Sequence, residues 1–174
     1  MVHSVELLFD PDTDAAVRGL WNELAQAGIR SQAGHRSPTN RPHATLTVAE
    51  DMADAVDDAL RPLLARLPLP CAIGAPMLFG GGRAVTLVRL LVPSAELLDL
   101  HAEVHRVTRP HMPAGPLPHS DPGQWTPHVT LARRVPPDQI ATAIALPKFA
   151  RTIHGRITGL RHWDGNKREE HPIG

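Results

Sequence analysis

The spacing of apolar positions changes period repeatedly along the chain, and each change marks an element. Val5 and Leu7 alternate with Glu6, which predicts a strand over 2–9. Asp10-Pro11-Asp12 then supplies a turn and a helix start, and Ala16, Leu20, Leu24 and Ala27 recur at helical spacing until Gly28 stops them. A loop follows over 29–41, then a second strand over 41–49. A helix is predicted over 50–67, with Met52, Ala55, Val56, Leu60, Leu63 and Leu64 along one side. Two strands, 71–79 and 83–92, flank Gly80-Gly81-Gly82 as a hairpin. Pro93-Ser94 opens a helix whose stripe is Leu97, Leu100, Val104 and Val107.

The stretch 109–125 carries Pro110, Pro113, Pro116, Pro118 and Pro122 and is predicted to be a long loop. A strand over 126–134, a short helix from Pro136-Pro137-Asp138 to about 146, and a last strand over 149–163 complete the order, with Gly155 and Gly159 as candidate bulges. The polar tail after Asp164 is expected to be loose. The order β-α-β-α-β-β-α-β-α-β reads as an α+β fold, bilobal, with antiparallel sheets forming a central cleft and helices outside. The whole of 1–174 is expected to be a single domain of two intimately packed lobes, since 174 residues offer no evident linker.

Composition narrows the function classes. There are 18 basic and 18 acidic residues, so any affinity for phosphate must be local rather than a property of the whole surface. Only three Trp and three Phe, with no Tyr, are available to stack on bases. The single Cys71 excludes an internal disulfide and a zinc framework, and its apolar surroundings suit a small buried residue in a reducing compartment. No basic n-region precedes the first apolar run, and the best apolar stretch, interrupted by Arg89, is far short of the ~20 residues of a membrane span. A cytoplasmic location is the resulting expectation, with no obligate protein partner evident.

One pentapeptide occurs twice: Pro42-His43-Ala44-Thr45-Leu46 and Pro127-His128-Val129-Thr130-Leu131, with the histidines 85 residues apart. The chain holds 11 His and 11 Thr, so about one bare His-x-Thr is expected by shuffling, but the full pentapeptide has an expectation of roughly 0.01. Two copies therefore point to duplication or shared function. On a strand, each His and its Thr share one face while Ala44, Leu46, Val129 and Leu131 point to the other. Two imidazoles at one cleft suit phosphodiester hydrolysis, where one takes a proton from water and the other protonates the departing ribose oxygen. The threonine hydroxyls would hold nonbridging phosphate oxygens, and no metal or other cofactor is needed in principle.

This pairing resembles the two-histidine (2H) phosphoesterase superfamily, in particular its 2′-5′ RNA ligase-like, RNA 2′,3′-cyclic phosphodiesterase branch, over nearly the whole chain. The resemblance implies metal-independent chemistry at 2′,3′-cyclic or 2′-5′ phosphodiesters of RNA ends or cyclic nucleotide phosphates, with 2′-5′ ligation as a reverse activity. It implies His43 and His128 as the catalytic pair and Thr45 and Thr130 as phosphate holders. Which histidine is base and which acid stays open. Trp125 is the best placed aromatic for substrate binding, with ordinary packing as its alternative. Alternation from His128 puts Arg134 on the cleft side, whereas the family pattern favours Arg133, which is taken as the substrate-binding residue.

Two other readings stand beside this one. A noncatalytic module binding nucleotides or RNA ends would keep the cleft without the chemistry, although intact His and Thr in both copies favour an enzyme. A metal-dependent hydrolase has little support, because His101 and His105, four apart on a predicted helix, lack a third ligand in a recognised pattern. His35, His111 and His119, on the two loops before the motifs, are expected to be exposed.

Overall fold

A computed structural model describes residues 2–174. Strand β1 (His3–Phe9) runs into α1 (Pro11–Gln26) through Asp10, whose carboxylate accepts the backbone N–H groups of Asp12 and Thr13 and caps the helix. Pro11 opens α1, and Gly28, at φ +80°, lets the chain turn away from its end. Then come β2 (His43–Ala49), α2 (Val56–Leu60), β3 (Leu69–Gly81), β4 (Ala84–Leu91), α3 (Ala95–Thr108), β5 (His128–Val135), α4 (Ile140–Ile144), β6 (Ile153–Asp164) and β7 (Glu169–Ile173). Ser94 caps α3 as its sequence suggests, accepting from Leu97 N–H.

The α+β, antiparallel expectation is the architecture found. All pairings are antiparallel in a seven-stranded sheet of order β2-β1-β6-β3-β4-β5, with β7 also on β6. The long β6 joins two halves. Its residues 153–157 pair with β3 and its residues 160–164 with β7, while β1 lies along its other side. The sheet curls until its two terminal strands, β2 and β5, pack against each other. Those are the strands that carry the repeated pentapeptide. Val5, Leu7, Ala44, Leu46, Val129 and Leu131 are fully buried in one hydrophobic cluster with α1 and α3. No helix among the described residues is long and apolar enough to cross a membrane.

Three elements differ from their sequence readings. The tail is not loose: β7 forms a hairpin with β6, and Asp57 of α2 accepts from His162 of β6 at 2.9 Å and lies 3.4 Å from His171 of β7. The 50–67 helix is reduced to α2 followed by a 3-10 segment, Arg61–Arg66. Ala53 N–H is taken by His111 carbonyl outside any helix, and Pro62 has no N–H to give. Gly155 is not a bulge. It pairs regularly with Cys71, and a Cβ there would sit 1.7 Å from Thr13 Oγ1, so the glycine lets α1 approach the sheet. Gly159 does border a bulge, where Leu8 pairs with Gly159 and Phe9 with Ile157.

Arg89 on β4 is 1% exposed and has no carboxylate partner among the described residues. Its guanidinium donates to the carbonyls of Gly74 and Ile73 on β3 and of Phe149 and Arg151 on the segment leading into β6. It thus fastens an irregular segment to the sheet. Replacing it leaves four carbonyls without this donor, three of them in buried contacts, so Arg89→Met should cost about 3 kcal/mol or more in urea unfolding. A loss under about 1 kcal/mol would mean that water or relaxation satisfies those carbonyls.

Candidate functional site

The repeated pentapeptide produces the same local structure twice. His43 Nδ1 donates to Arg41 carbonyl at 2.7 Å, and His128 Nδ1 donates to Thr126 carbonyl at 2.7 Å. In each case the acceptor lies two residues upstream, across the proline. With Nδ1 carrying the proton, Nε2 is the nitrogen left for chemistry on both rings. His43, Thr45, His128 and Thr130 are all half-buried, while the residues between them are fully buried, as strand alternation requires.

A second shared feature lies one residue further on. Along β1, Glu6 pairs with Thr45 and Val5 with Thr47, so Leu46 is an extra residue on β2. Along β4, Val88 pairs with Thr130 and Leu87 with Ala132, so Leu131 is an extra residue on β5. The leucine of each pentapeptide is therefore a bulge, and it reverses the alternation beyond it. In the first copy this brings Val48 to the cleft with His43 and Thr45, and in the second it brings Arg133 to the corresponding place. The bulge thus places Arg133, and not Arg134, at the cavity that His43 borders. Simple alternation selected Arg134 because it could not count the bulge. Arg134 instead adopts φ +57° beside it.

The terminal strands leave carbonyls with no partner strand, and side chains of the opposite half take them. Trp21 of α1 donates Nε1–H to Thr130 carbonyl at 3.1 Å. Trp125, in the loop before β5, donates to Thr45 carbonyl at 2.8 Å, and His101 of α3 has Nε2 3.1 Å from Leu46 carbonyl. Backbone bridges repeat the exchange: Ser31 pairs with Ala132 and Pro116 with Ala49. Ser31 and Pro116 are separated by the same 85 residues as the two histidines.

Two cavities meet at Thr45 and Val48. One, of about 560 Å³, is bordered by Phe79, Trp125, His119 and His128. Phe79 stands edge-on to His128 with ring centroids 4.7 Å apart. Trp125 stacks on His101 at 4.0 Å and nearly parallel, so packing and cavity lining are combined in one indole. The other, of about 440 Å³, is bordered by His43, Glu6, Arg133 and Arg161. Thr130 borders neither cavity; its carbonyl is held by Trp21. His101 and His105 are engaged with carbonyls and Asp121 respectively. Among the described residues no group of three or more His, Cys, Asp or Glu is disposed to hold a metal ion. Burial and the nearby Asp10 push the Cys71 thiol up to about 11, which leaves it protonated.

The electrostatics of the two halves differ. Glu6 Oε2 lies 3.8 Å from His43 Nε2 and is buried. Burial pushes its carboxyl up, but the charges of His43 and Arg161 and hydrogen bonds from Ser4 and Arg161 outweigh this and hold it below its usual range. Arg161 is in turn shared with Glu170 of β7 at 2.7 Å, and Glu170 also pairs with Arg41 at 2.9 Å. In the second half the place of Glu6 opposite the threonine is taken by Val88. There, burial holds the His128 imidazole below its ordinary range, with the charges of His43 and Arg133 adding to the effect and the bond to Thr126 opposing it. Glu6, Phe79 and Arg161 were missed in the sequence. Only Glu6 left a signal, as an acidic residue within an otherwise apolar strand.

Among solved structures, the chain resembles Escherichia coli LigT in its apo form, at TM-score 0.57 and 14% identity, over 99% of this chain and 94% of that one. Kluyveromyces marxianus Usb1 with uridine monophosphate matches at TM-score 0.53 and 14% identity, over 99% and 97%. LigT complexed with 3′-AMP matches at 0.55 and 14%, over 99% and 94%. No curated protein matches the chain by sequence. Such likeness defines the fold, which the chain shares with LigT and Usb1. The model of the 2′-5′ RNA ligase superfamily matches residues 11–168, and the chain belongs to that family.

Because Arg133 contributes to keeping His128 neutral, Arg133→Ala should raise the pH at which His128 titrates, as read from its imidazole resonances by NMR. An unmoved titration would leave burial and the charge of His43 as the causes.

Proposed function

We propose that this protein is a metal-independent phosphodiesterase that opens 2′,3′-cyclic phosphates, or cleaves related 2′-5′ phosphodiesters, of RNA ends or nucleotides. The observation that carries this reading is the twin Nδ1–H···O=C bond, which presents Nε2 of both His43 and His128 for proton transfer. Family membership and neighbours solved with uridine monophosphate, 3′-AMP and ATP support a nucleotide substrate. Intact His and Thr in both copies favour catalysis over binding alone.

The unlike surroundings of the imidazoles support a division of labour. His128, which burial and Arg133 favour in its neutral form, takes a proton from water as the water oxygen attacks phosphorus. His43, beside the Glu6 carboxylate, is the imidazolium that protonates the ribose oxygen as its bond to phosphorus breaks. One water is consumed, one phosphomonoester is formed, and solvent restores the two protonation states. Thr45 holds a nonbridging oxygen at the cavity wall, Arg133 offsets the developing charge, and Trp125 with Phe79 borders a space for the base. Thr130 is given the matching role by its place in the second pentapeptide, on the face of His128.

Oligonucleotides ending in 2′,3′-cyclic phosphate, offered with chelator, should be turned over by the wild type. His43→Ala and His128→Ala should each lower kcat by about 10²- to 10⁴-fold. Absence of wild-type turnover on cyclic and 2′-5′ substrates would sink the proposal, and loss of turnover on adding chelator would favour a metal enzyme. The rate should be bell-shaped in pH, because one imidazole must be neutral and the other charged. Glu6→Gln removes the carboxylate 3.8 Å from His43 Nε2 and should lower kcat. An unchanged kcat would mean that Glu6 takes no part in the acid step.

A further inference from the structure

Six of the chain's arginines are paired with carboxylates: Arg18, Arg41, Arg61, Arg66, Arg106 and Arg161. Arg30, Arg36, Arg133 and Arg134 have no such partner among the described residues, yet they border one cavity of about 430 Å³ that contains no acidic side chain. Four like charges around one hollow repel each other and are stabilised only by an anion brought into it. In a chain of zero net charge this concentration is local.

The hollow is built rather than left by chance. Antiparallel bridging of Ser31 to Ala132 sets Arg30 opposite Arg133. Ser31 Oγ donates to Trp21 carbonyl at 2.6 Å and accepts from Ala33 N–H, which fixes the turn Gln32–Gly34. The Asn40 amide then gathers the loop, donating to the carbonyls of Gln32 at 2.9 Å and His35 at 3.1 Å. On the other wall the Leu131 bulge and the φ of +57° at Arg134 leave both consecutive arginines exposed. A non-glycine residue in this left-handed conformation is costly unless the surroundings fix it, and such positions concentrate at functional sites. Gln32, His35 and Arg133 also border the cavity that holds His43 and Thr45, so the two spaces adjoin.

We propose that Arg30, Arg36 and Arg134 form a second phosphate subsite, which takes the phosphate next to the reacting one in a substrate carrying at least two. The inference rests on the phosphodiesterase reading for the position of the reacting phosphate at His43 and Thr45. Arg133 stands between the two subsites. Guanidinium groups suit this task because each offers a planar pair of donors to phosphate oxygens and stays charged at every working pH. The second phosphate is either the internucleotide phosphodiester of an RNA chain or the 5′-phosphate of a single nucleotide, and the two are separable by experiment.

Three probes decide it: cytidine 2′,3′-cyclic phosphate, the same compound with a 5′-phosphate, and the dinucleotide uridylyl-(3′→5′)-cytidine 2′,3′-cyclic phosphate. The wild type should prefer one or both two-phosphate probes over the first by about tenfold or more in kcat/KM, as expected of charge-assisted hydrogen bonds. Preference for the dinucleotide alone assigns the subsite to a chain phosphodiester, and preference for the 5′-phosphate alone assigns it to a mononucleotide. Arg30→Gln/Arg36→Gln/Arg134→Asn, in which Asn tolerates the left-handed backbone, should collapse that ratio towards one, with folding checked by circular dichroism. In the wild type the preference should also weaken with salt, as mobile ions screen the arginine–phosphate attraction. A ratio near one in the wild type, or one indifferent to the triple substitution and to salt, overturns the subsite and leaves the phosphodiesterase standing. Should none of the probes be turned over, the phosphodiesterase reading falls instead. Calorimetric titration with the same three compounds then judges the subsite alone, and equal affinities would overturn it.

Discussion

The outer edges of β2 and β5 are the constraint around which the molecule is arranged. Each is a terminal strand, and each must carry a histidine at a cleft without presenting unpaired backbone to another chain. The fold meets both demands by exchange. Trp21 and the Ser31 bridge of the first half hold β5, while Trp125, His101 and the Pro116 bridge of the second half hold β2. Neither motif strand would be finished in its own half alone. The two pentapeptides are thereby fixed relative to one another by bonds between the two halves, and the proposed proton transfer at a shared substrate would draw on that rigidity.

Against this symmetry, the departures identify where direction enters. Leu46 and Leu131 are equivalent bulges, and Arg41 and Thr126 supply equivalent carbonyls to equivalent imidazoles. Glu6 answers to Val88, and Val48 to Arg133. A carboxylate thus stands by the first histidine and a guanidinium by the second. In the proposed reaction one imidazole takes a proton and the other gives one, and these two exchanges set their surroundings apart. The C-terminal strand takes part, since Glu170 holds both Arg161, the partner of Glu6, and Arg41, whose carbonyl receives His43.

The pentapeptide made the two motif strands and their half-buried faces legible, because proline, alternation and repetition all act over a few residues. The order of elements through β6 was legible for the same reason. What escaped depends on distant pairing. A bulge is a property of two strands in register, so nothing within 128–135 reveals that Leu131 is supernumerary, and the choice between Arg133 and Arg134 could not be made by counting. The tail after Asp164 is polar in itself. It becomes β7 because His162, His171 and Asp57 meet from three elements and because Glu170 has two arginines to hold. The 50–67 helix failed where a backbone N–H had a better partner in His111 than in its own turn.

The same reasoning bears on how a chain of zero net charge could serve a polyanion. Long-range attraction is absent, so specificity must come from where charges are left uncompensated. Carboxylates occupy the arginines that brace the fold, such as Arg161 and Arg41, and carbonyls occupy Arg89. Arg30, Arg36, Arg133 and Arg134 are left free around one hollow that adjoins the cleft. Neutrality overall and cation density at one place are therefore complementary. The acidic residues that balance the charge sum lie elsewhere, and a phosphate is the group that completes the electrostatics of this wall of the cleft.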